Sequence, residues 1–367
     1  MFEATDRADP LAVGLEEAGR RALESLPGEL RAVPSSSIPL RGENIVGLPA
    51  VRRMLDRVGD AGEVDDAAAT AALAAGDVPA LPPGVESSDA LVSELADRER
   101  GLVMVMGKGG VGKTSVAAAL AVELAARDVP VHLTTTDPAA HVADVVGEAR
   151  GPLRVTRIDP EAEVESYRAK VLARAGKDLD EDGRALLEED LRSPCTEEVA
   201  VFHAFSKIVS GARRELVIMD TAPTGHTLLL LDAAGSYHRE IMRNAGDRQG
   251  AITTPLMRLR DPGHTRVLLV TLAETTPVLE AGALADDLAR AGIDPWGWVV
   301  NNSLAAAGPS DPLLRRRAAE EVEQIERVAS VLAERTYVVP RLMAEPRGVA
   351  GLRAMIDGSA SATRSAA

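Results

Sequence analysis

Eight consecutive residues, Gly107-Lys108-Gly109-Gly110-Val111-Gly112-Lys113-Thr114, match the pattern G-x-x-x-x-G-K-[ST]. Residues of these types at this spacing bind phosphate. Gly107, Gly109, Gly110 and Gly112 let the backbone wrap closely around an anion, and Val111 completes the loop. Successive N–H groups and the start of the following helix, at Thr114 and Ser115, then face the charge. Lys113 is placed to reach the β- and γ-phosphates of a nucleotide, and the Thr114 hydroxyl to hold Mg²⁺. The motif needs a strand before it and a helix after it. Leu102–Met106 is a short apolar run ending at glycine, and Thr114–Arg127 reads as an apolar helix.

Three further polar residues stand at the ends of predicted strands. Asp220 closes Leu216–Met219, where a carboxylate can order Mg²⁺ or its water shell. Asp137 follows Thr134-Thr135-Thr136 and can orient an attacking water or bind Mg²⁺, although Asp137-Pro138 is also an ordinary turn opener. Asn301 ends the strand Trp296–Val300. Its amide could read an adenine edge, or it could simply close a strand. Asp220 leads into Thr221-Ala222-Pro223-Thr224-Gly225-His226-Thr227, a loop with the Pro and Gly of a conformational switch.

The elements that position these residues alternate strand and helix from residue 101 onward. Further strands are predicted at Val129–Thr135, Arg266–Leu272 and Tyr337–Val339, with helices near 276–291, 312–334 and 348–357. The fold class is α/β: a doubly wound, mostly parallel P-loop sheet, with a helical insertion over about 159–212. Residues 1–60 read as the tail of a preceding P-loop half, with helical spacing over Glu16–Val33 broken at Pro27, an extended Ile38-Pro39-Leu40 and a short basic helix at Arg52–Leu55. Residues 61–88 hold three glycines, three prolines, five acids and no basic residue, which reads as a linker. A helix over Ser87–Arg98, capped by Ser88, opens the ATPase domain at 89–358; residues 359–367 read as a disordered tail. The tail reading rests on an internal echo. Ile38-Pro39-Leu40, Gly47, Arg52 and Met54 align without gaps on Val339-Pro340-Arg341, Gly348, Arg353 and Met355.

Composition bounds the function. The chain has 367 residues, a net charge of −15 and 46% apolar residues. A pI near 5.0 argues against nucleic acid as a partner. A single cysteine excludes an internal disulfide framework and a zinc site built from this chain's thiolates alone. No apolar run approaches a membrane span and residues 1–20 show no secretory signal, so the expected location is cytoplasmic, peripheral to a membrane through a pump partner. Lysine is scarce, five against 36 arginines, yet Lys108 and Lys113 share one loop. A second lysine early in a P-loop marks the deviant P-loop ATPases, whose class implies that Lys108 reaches a partner's nucleotide in trans.

Taken together these residues resemble the arsenical pump-driving ATPase family. Gly107–Thr114, Thr135–His141, Asp220–Thr227 and Leu228–Asp232 look like its P-loop and switch segments. Leu191–Glu198 (with Ser193-Pro194-Cys195-Thr196-Glu197-Glu198), Tyr237-His238-Arg239-Glu240 and Trp296-Gly297-Trp298 are similar to its second half. The resemblance covers about residues 90–357. It implies two homologous halves that pair around ATP and Mg²⁺, and coupling of hydrolysis to arsenite or antimonite efflux through a membrane pump. It implies that Asp137 and Asp220 are the switch carboxylates. It also implies that Cys195 is a metalloid thiolate, with Ser193 and His226 in accessory metalloid positions. Either the sequence is a fragment, or a separate chain provides the first half, or the protein pairs with itself. The competing reading is a tail-anchored-protein targeting ATPase, which uses a C-x-x-C pair absent here. A DNA- or membrane-partitioning ATPase fits less well, because the charge is acidic and the tail small.

Overall fold

The computed structural model describes residues 2–55, 80–137, 142–147, 151–222, 224–244 and 253–358. The expected linker centre and the 359–367 tail lie outside them. Among the described residues eight strands form one parallel sheet: β1 (Val85–Ser87), β2 (Gly101–Met106), β3 (Val131–Thr135), β4 (Leu153–Arg157), β5 (Leu216–Asp220), β6 (Thr265–Leu272), β7 (Gly297–Ser303) and β8 (Thr336–Pro340). Their order is β1-β8-β7-β6-β2-β5-β3-β4. The chain divides into two compact units, which are taken in turn.

The unit formed by Leu95–Leu268 and Ala285–Trp296 carries the phosphate loop. Every residue of β2, β3 and β5 is buried; β2 and β5 accordingly read as continuous apolar runs rather than alternating ones, while β3, Val-His-Leu-Thr-Thr, buries His132, Thr134 and Thr135 as well. Strand β2 pairs parallel with β5, and β5 with β3. The helix after β2, spanning Lys113–Ala126, is apolar all round and buries Val116 through Ala125, as a core helix should. Strand β4, paired with β3, was not expected from the sequence. Its Leu-Arg-Val-Thr-Arg pattern turns both arginines outward at the sheet edge, so it lacks an apolar run.

After β4 the chain turns helical at Pro160–Ala175, Glu181–Asp190 and Pro194–Gly211. The first two bury no residue. The third buries Ala200, Phe202, Ala204, Phe205 and Val209. The helix Thr224–Asn244 follows β5, and a short one at Pro255–Leu259 precedes β6.

The other unit comprises the described residues of Met1–Glu94, Leu269–Leu284 and Gly297–Ala367. Several boundaries differ from those expected. Strand β1 forms inside the segment read as linker, where Val85 pairs with Thr336 of β8; three residues carry too little pattern to be recognised. The following helix, Ser88–Ala96, is capped by Ser87, whose Oγ accepts from Ala90 N at 3.3 Å. Ser88, expected as the cap, instead donates to Met355 O and Ile356 O. Strand β7 runs on to Ser303 with Asn301 inside it, because the ladder with β8 resumes at Ser303 and Pro340 after a register shift. The helix expected over 312–334 is α-helical only to Arg327; residues 328–332 form a wider π turn.

Near the amino terminus the helices are Pro10–Glu24, Gly28–Arg31 and Gly47–Leu55, and residues 38–40 pair with no strand. The first of these packs on Pro312–Arg327. Leu11 and Ala12 meet Leu304, Leu314 and Ala318 in one buried cluster. The two helix starts hold each other. Asp9 accepts from Leu11 N and Ala12 N in its own helix, and from Ser310 N and Asp311 N across the contact. Asp311 accepts from Leu313 N and Leu314 N, and from Thr5 N and Asp6 N. Both carboxylates are buried, and both are followed by Pro-Leu. The internal echo therefore extends backward by one helix: Asp9-Pro10-Leu11 corresponds to Asp311-Pro312-Leu313. Its other ends correspond too, since the helices Gly47–Leu55 and Gly348–Asp357 both begin on a left-handed glycine.

Candidate functional site: a phosphate loop with a buried carboxylate beneath it

The loop leaves β2 through Gly107 at φ 147°, and passes Gly110 at φ 83° and Gly112 at φ 89°. No atom lies within 4 Å of a Cβ added at Gly110, so backbone conformation, rather than crowding, demands glycine there. The helix begins at Lys113 with no acidic residue in its first turn. Its first i→i−4 bond is Val116 N to Gly112 O at 3.0 Å, so the N–H groups of Lys113, Thr114 and Ser115 precede the helical ladder, ready for an anion.

The Lys113 side chain is 7% exposed, and its Nζ donates to Lys108 O at 3.0 Å. Burial lowers its pKa, opposed by the charges of Asp220 and Asp137. The ammonium thus closes the loop on itself and sits where a phosphate would take over its bonds.

Beneath the loop, Asp220 ends β5 at 1% exposure. Its Oδ2 accepts from Thr114 Oγ1 at 2.8 Å and from Thr135 Oγ1 at 3.2 Å. Its Oδ1 is buried and accepts nothing among the described residues. Burial raises its pKa to about 6 against the two hydroxyl bonds and Lys113, which lower it. A half-satisfied buried carboxylate beside a threonine hydroxyl is a donor set for a hard divalent cation, and the residues fit Mg²⁺. Thr114 and Asp220 would hold it directly or through its water shell.

Sequence reasoning missed the threonines that tie β3 to β5. Thr135 Oγ1 also accepts from Asp137 N at 3.0 Å, folding Asp137 into the site. Thr136 N donates to Asp220 O, and Thr136 Oγ1 accepts from Ala222 N at 3.1 Å. Thr221 Oγ1 donates to Val105 O at 2.9 Å. The signal was the run Thr134-Thr135-Thr136, three hydroxyls at one strand end. Through these bonds Thr135–Asp137 and Asp220–Ala222 are held side by side at the ends of β3 and β5.

The remaining expected site residues stand on other elements. Asn301 belongs to the other unit, 2% exposed, in a cavity of about 180 Å³ lined also by Asn302, Leu304, Glu321 and Arg341. Glu321 accepts there from Ser303 Oγ and Ala305 N, both at 3.1 Å, and burial raises its pKa to about 7. Ser193 is exposed just before the helix Pro194–Gly211, and its carbonyl accepts from Thr196 N at 3.0 Å. Cys195 lies in the first turn of that helix and His226 in the first turn of Thr224–Asn244. The expected ligand roles of the Cys195 and His226 side chains fall outside the described residues.

A parallel sheet with G-x-x-x-x-G-K-T between a buried strand and a helix, and a carboxylate at the end of the neighbouring strand, defines a P-loop nucleotide-binding protein. Residues 100–258 match the family model of the anion-transporting ATPases. The chain is 51% identical over 345 residues to an arsenical pump-driving ATPase of Escherichia coli, covering 94% of this chain and 57% of that protein. It is 49% identical over 355 residues to the arsenical pump-driving ATPase of Acidiphilium multivorum, covering 97% and 59%. Similarity to the ATPase GET3 of Chaetomium globosum is lower, 27% over 306 residues. The chain belongs to the arsenical pump-driving, anion-transporting ATPase family. It spans under three-fifths of the length of those two arsenical relatives, at 57% and 59%. No helix of the described residues is long and apolar enough to cross a membrane.

Proposed function

We propose that this chain is the ATP-hydrolysing part of an arsenite or antimonite efflux system. The observation that carries the reading is the buried Asp220 carboxylate, bonded to Thr114 and Thr135 directly beneath the phosphate loop. Lys113 leaves its loop carbonyl for the γ-phosphate, and the first-turn N–H groups take up the rest of that charge. When bound, Mg²⁺ supplies charge neutralisation at the phosphate oxygens. Asp137, held by Thr135, orients the attacking water. The reaction is in-line transfer of the γ-phosphoryl group to water, driven by positioning and charge.

Lys108 completes the charge set from a facing P-loop half, either a separate chain or a second copy. Cys195 supplies one metalloid thiolate, with Ser193 and His226 accessory to it. Since this chain has one cysteine, a three-thiolate site would need the other half. A membrane pump is the partner through which the metalloid leaves. Identity of 51% to an arsenical pump-driving ATPase against 27% to GET3 favours this over the targeting alternative.

The test is steady-state ATP hydrolysis by the full chain with and without antimonite, recorded alongside oligomeric state. Lys113→Ala is expected to abolish turnover. Cys195→Ser is expected to remove antimonite stimulation while leaving basal turnover. Unchanged turnover in Lys113→Ala would sink the nucleotide assignment, and equal stimulation with Cys195→Ser would sink the metalloid one.

A further inference from the structure

The phosphate loop lies at the carboxyl ends of β2 and β5. At the opposite, amino ends of β2, β5 and β6 there is a second cleft, of about 800 Å³. Arg100 precedes β2, Arg213 and Arg214 precede β5, and Arg258 lies in the short helix before β6. All four line the cleft. None of them has an ion pair or a side-chain hydrogen bond among the described residues. The acid lining the cleft is Asp261, whose Oδ1 already accepts from Gly263 N at 2.9 Å. Ser210 and Thr253 contribute hydroxyls to the same wall.

Four unpaired guanidiniums in one cleft of a chain with net charge −15 run against the composition. Two of them are also crowded. The charge of Arg213 adds to burial in lowering the pKa of Arg258, so the empty cleft holds like charges against each other. Arginines standing at helix ends commonly complement helix carbonyls, and Arg213 and Arg214 follow the helix ending at Gly211. That role does not account for Arg100, which precedes a strand, nor for convergence on one cavity. An anion would relieve the repulsion, and the planar fork of arginine matches a phosphate oxygen pair.

We propose that this cleft is a second anion site, for a phosphate group carried by a small ester or a lipid headgroup, separate from the nucleotide. Separation follows from the strands: β2 has six residues, about 20 Å of extended chain between the two ends. Exposed Met257 at the rim, 41% accessible, places an apolar side chain beside the cations, as a lipid surface would use.

The test uses the full chain saturated with Mg·ADP, so that the phosphate loop is filled. Pyrophosphate binding is measured by titration calorimetry, and co-sedimentation with vesicles of phosphatidylcholine alone or with phosphatidylglycerol. The site predicts one pyrophosphate equivalent per ADP-filled chain, weakened at least about tenfold by Arg213→Ala with Arg258→Ala and by 0.5 M salt, with ADP affinity unchanged. Sedimentation only with phosphatidylglycerol, lost in the same variant, assigns the lipid source; pyrophosphate binding without sedimentation assigns the small ester. Arg258→Gln keeps the stem and serves if the double variant is unstable. No pyrophosphate bound to the ADP-filled chain and no vesicle binding, or binding unchanged by either variant, would overturn the proposal.

Discussion

Among single residues, Asp220 governs how the site responds to pH and to nucleotide. Its pKa is raised to about 6 by burial, so in the nucleotide-free chain its protonated form is favoured relative to the unfolded state. The stability linked to it is fully present below the unfolded pKa of 3.8 and is lost as pH rises through about 6. At pH 7.5 the ionised group therefore costs stability, on the order of 3 kcal/mol. Asp220→Asn is expected to raise the melting temperature of the nucleotide-free chain at pH 7.5, with less gain at pH 5. Mg·ATP should then stabilise the native chain more than the variant, and hydrolysis by the variant should fall roughly 100-fold or more. A variant that melts lower at pH 7.5 would mean that the carboxylate is compensated by groups other than those described.

Thr135 is the residue-scale feature that only the fold revealed. Its hydroxyl lowers the Asp220 pKa and fixes Asp137 N. Thr135→Val should cost about 1–2 kcal/mol in denaturant midpoint analysis. It should also move the acid limb of the pH–rate profile upward, because Asp220 loses one bond that favours its ionised form. An unmoved limb would place the controlling ionisation elsewhere. Local pattern gave Lys113, Thr114 and Asp220 away: the phosphate-loop spacing for the first two, and the apolar run it closes for Asp220. The Thr135 contact depends on β3 lying beside β5, a pairing between residues 85 positions apart that no local pattern carries.

At the scale of elements, legibility followed apolar content. Strands β2 and β5 were readable because both faces are buried and the runs are continuous; β3, Val-His-Leu-Thr-Thr, was readable from the strand–helix alternation around it. Strand β4 escaped notice because it is half solvated, and β1 because three residues carry no period. The reciprocal capping of Asp9 and Asp311 was also hidden, although Asp-Pro-Leu stands in the sequence twice. Each carboxylate accepts four backbone N–H groups, two in its own helix and two in the segment leading into the other. Breaking either end strands buried donors. Asp9→Ala and Asp311→Ala should each cost roughly 2–4 kcal/mol, with the helix Pro10–Glu24 becoming open to limited proteolysis. Asp9→Ala that stays resistant to protease would show that the apolar cluster of Leu11, Ala12 and Leu314 holds the helix without the clamp.

At the scale of the whole molecule, the central claim is that a phosphate loop, a buried carboxylate and two strand-end threonines make one Mg·ATP site. Family membership and the α/β class were legible from motifs alone, since G-x-x-x-x-G-K-T and the Asp220–Thr227 segment are contiguous in sequence. The arginine cleft was not, because its members lie on separate segments from Arg100 to Arg258 and only the amino ends of three strands bring them together. If Lys108 acts across a P-loop pair, specific ATPase activity should rise with protein concentration as pairs form, and Lys108→Ala should flatten that rise while sparing nucleotide affinity. A rate per chain independent of concentration and of Lys108 would assign the whole reaction to one chain.

The measurement that bears most directly on the central claim is Mg·ATP affinity by titration calorimetry, comparing the full chain with Lys113→Ala. Affinity does not depend on whether a second half is present to complete hydrolysis. One Mg·ATP per chain is expected, with roughly 100-fold weaker binding in the variant. Equal affinity in the two proteins would contradict it.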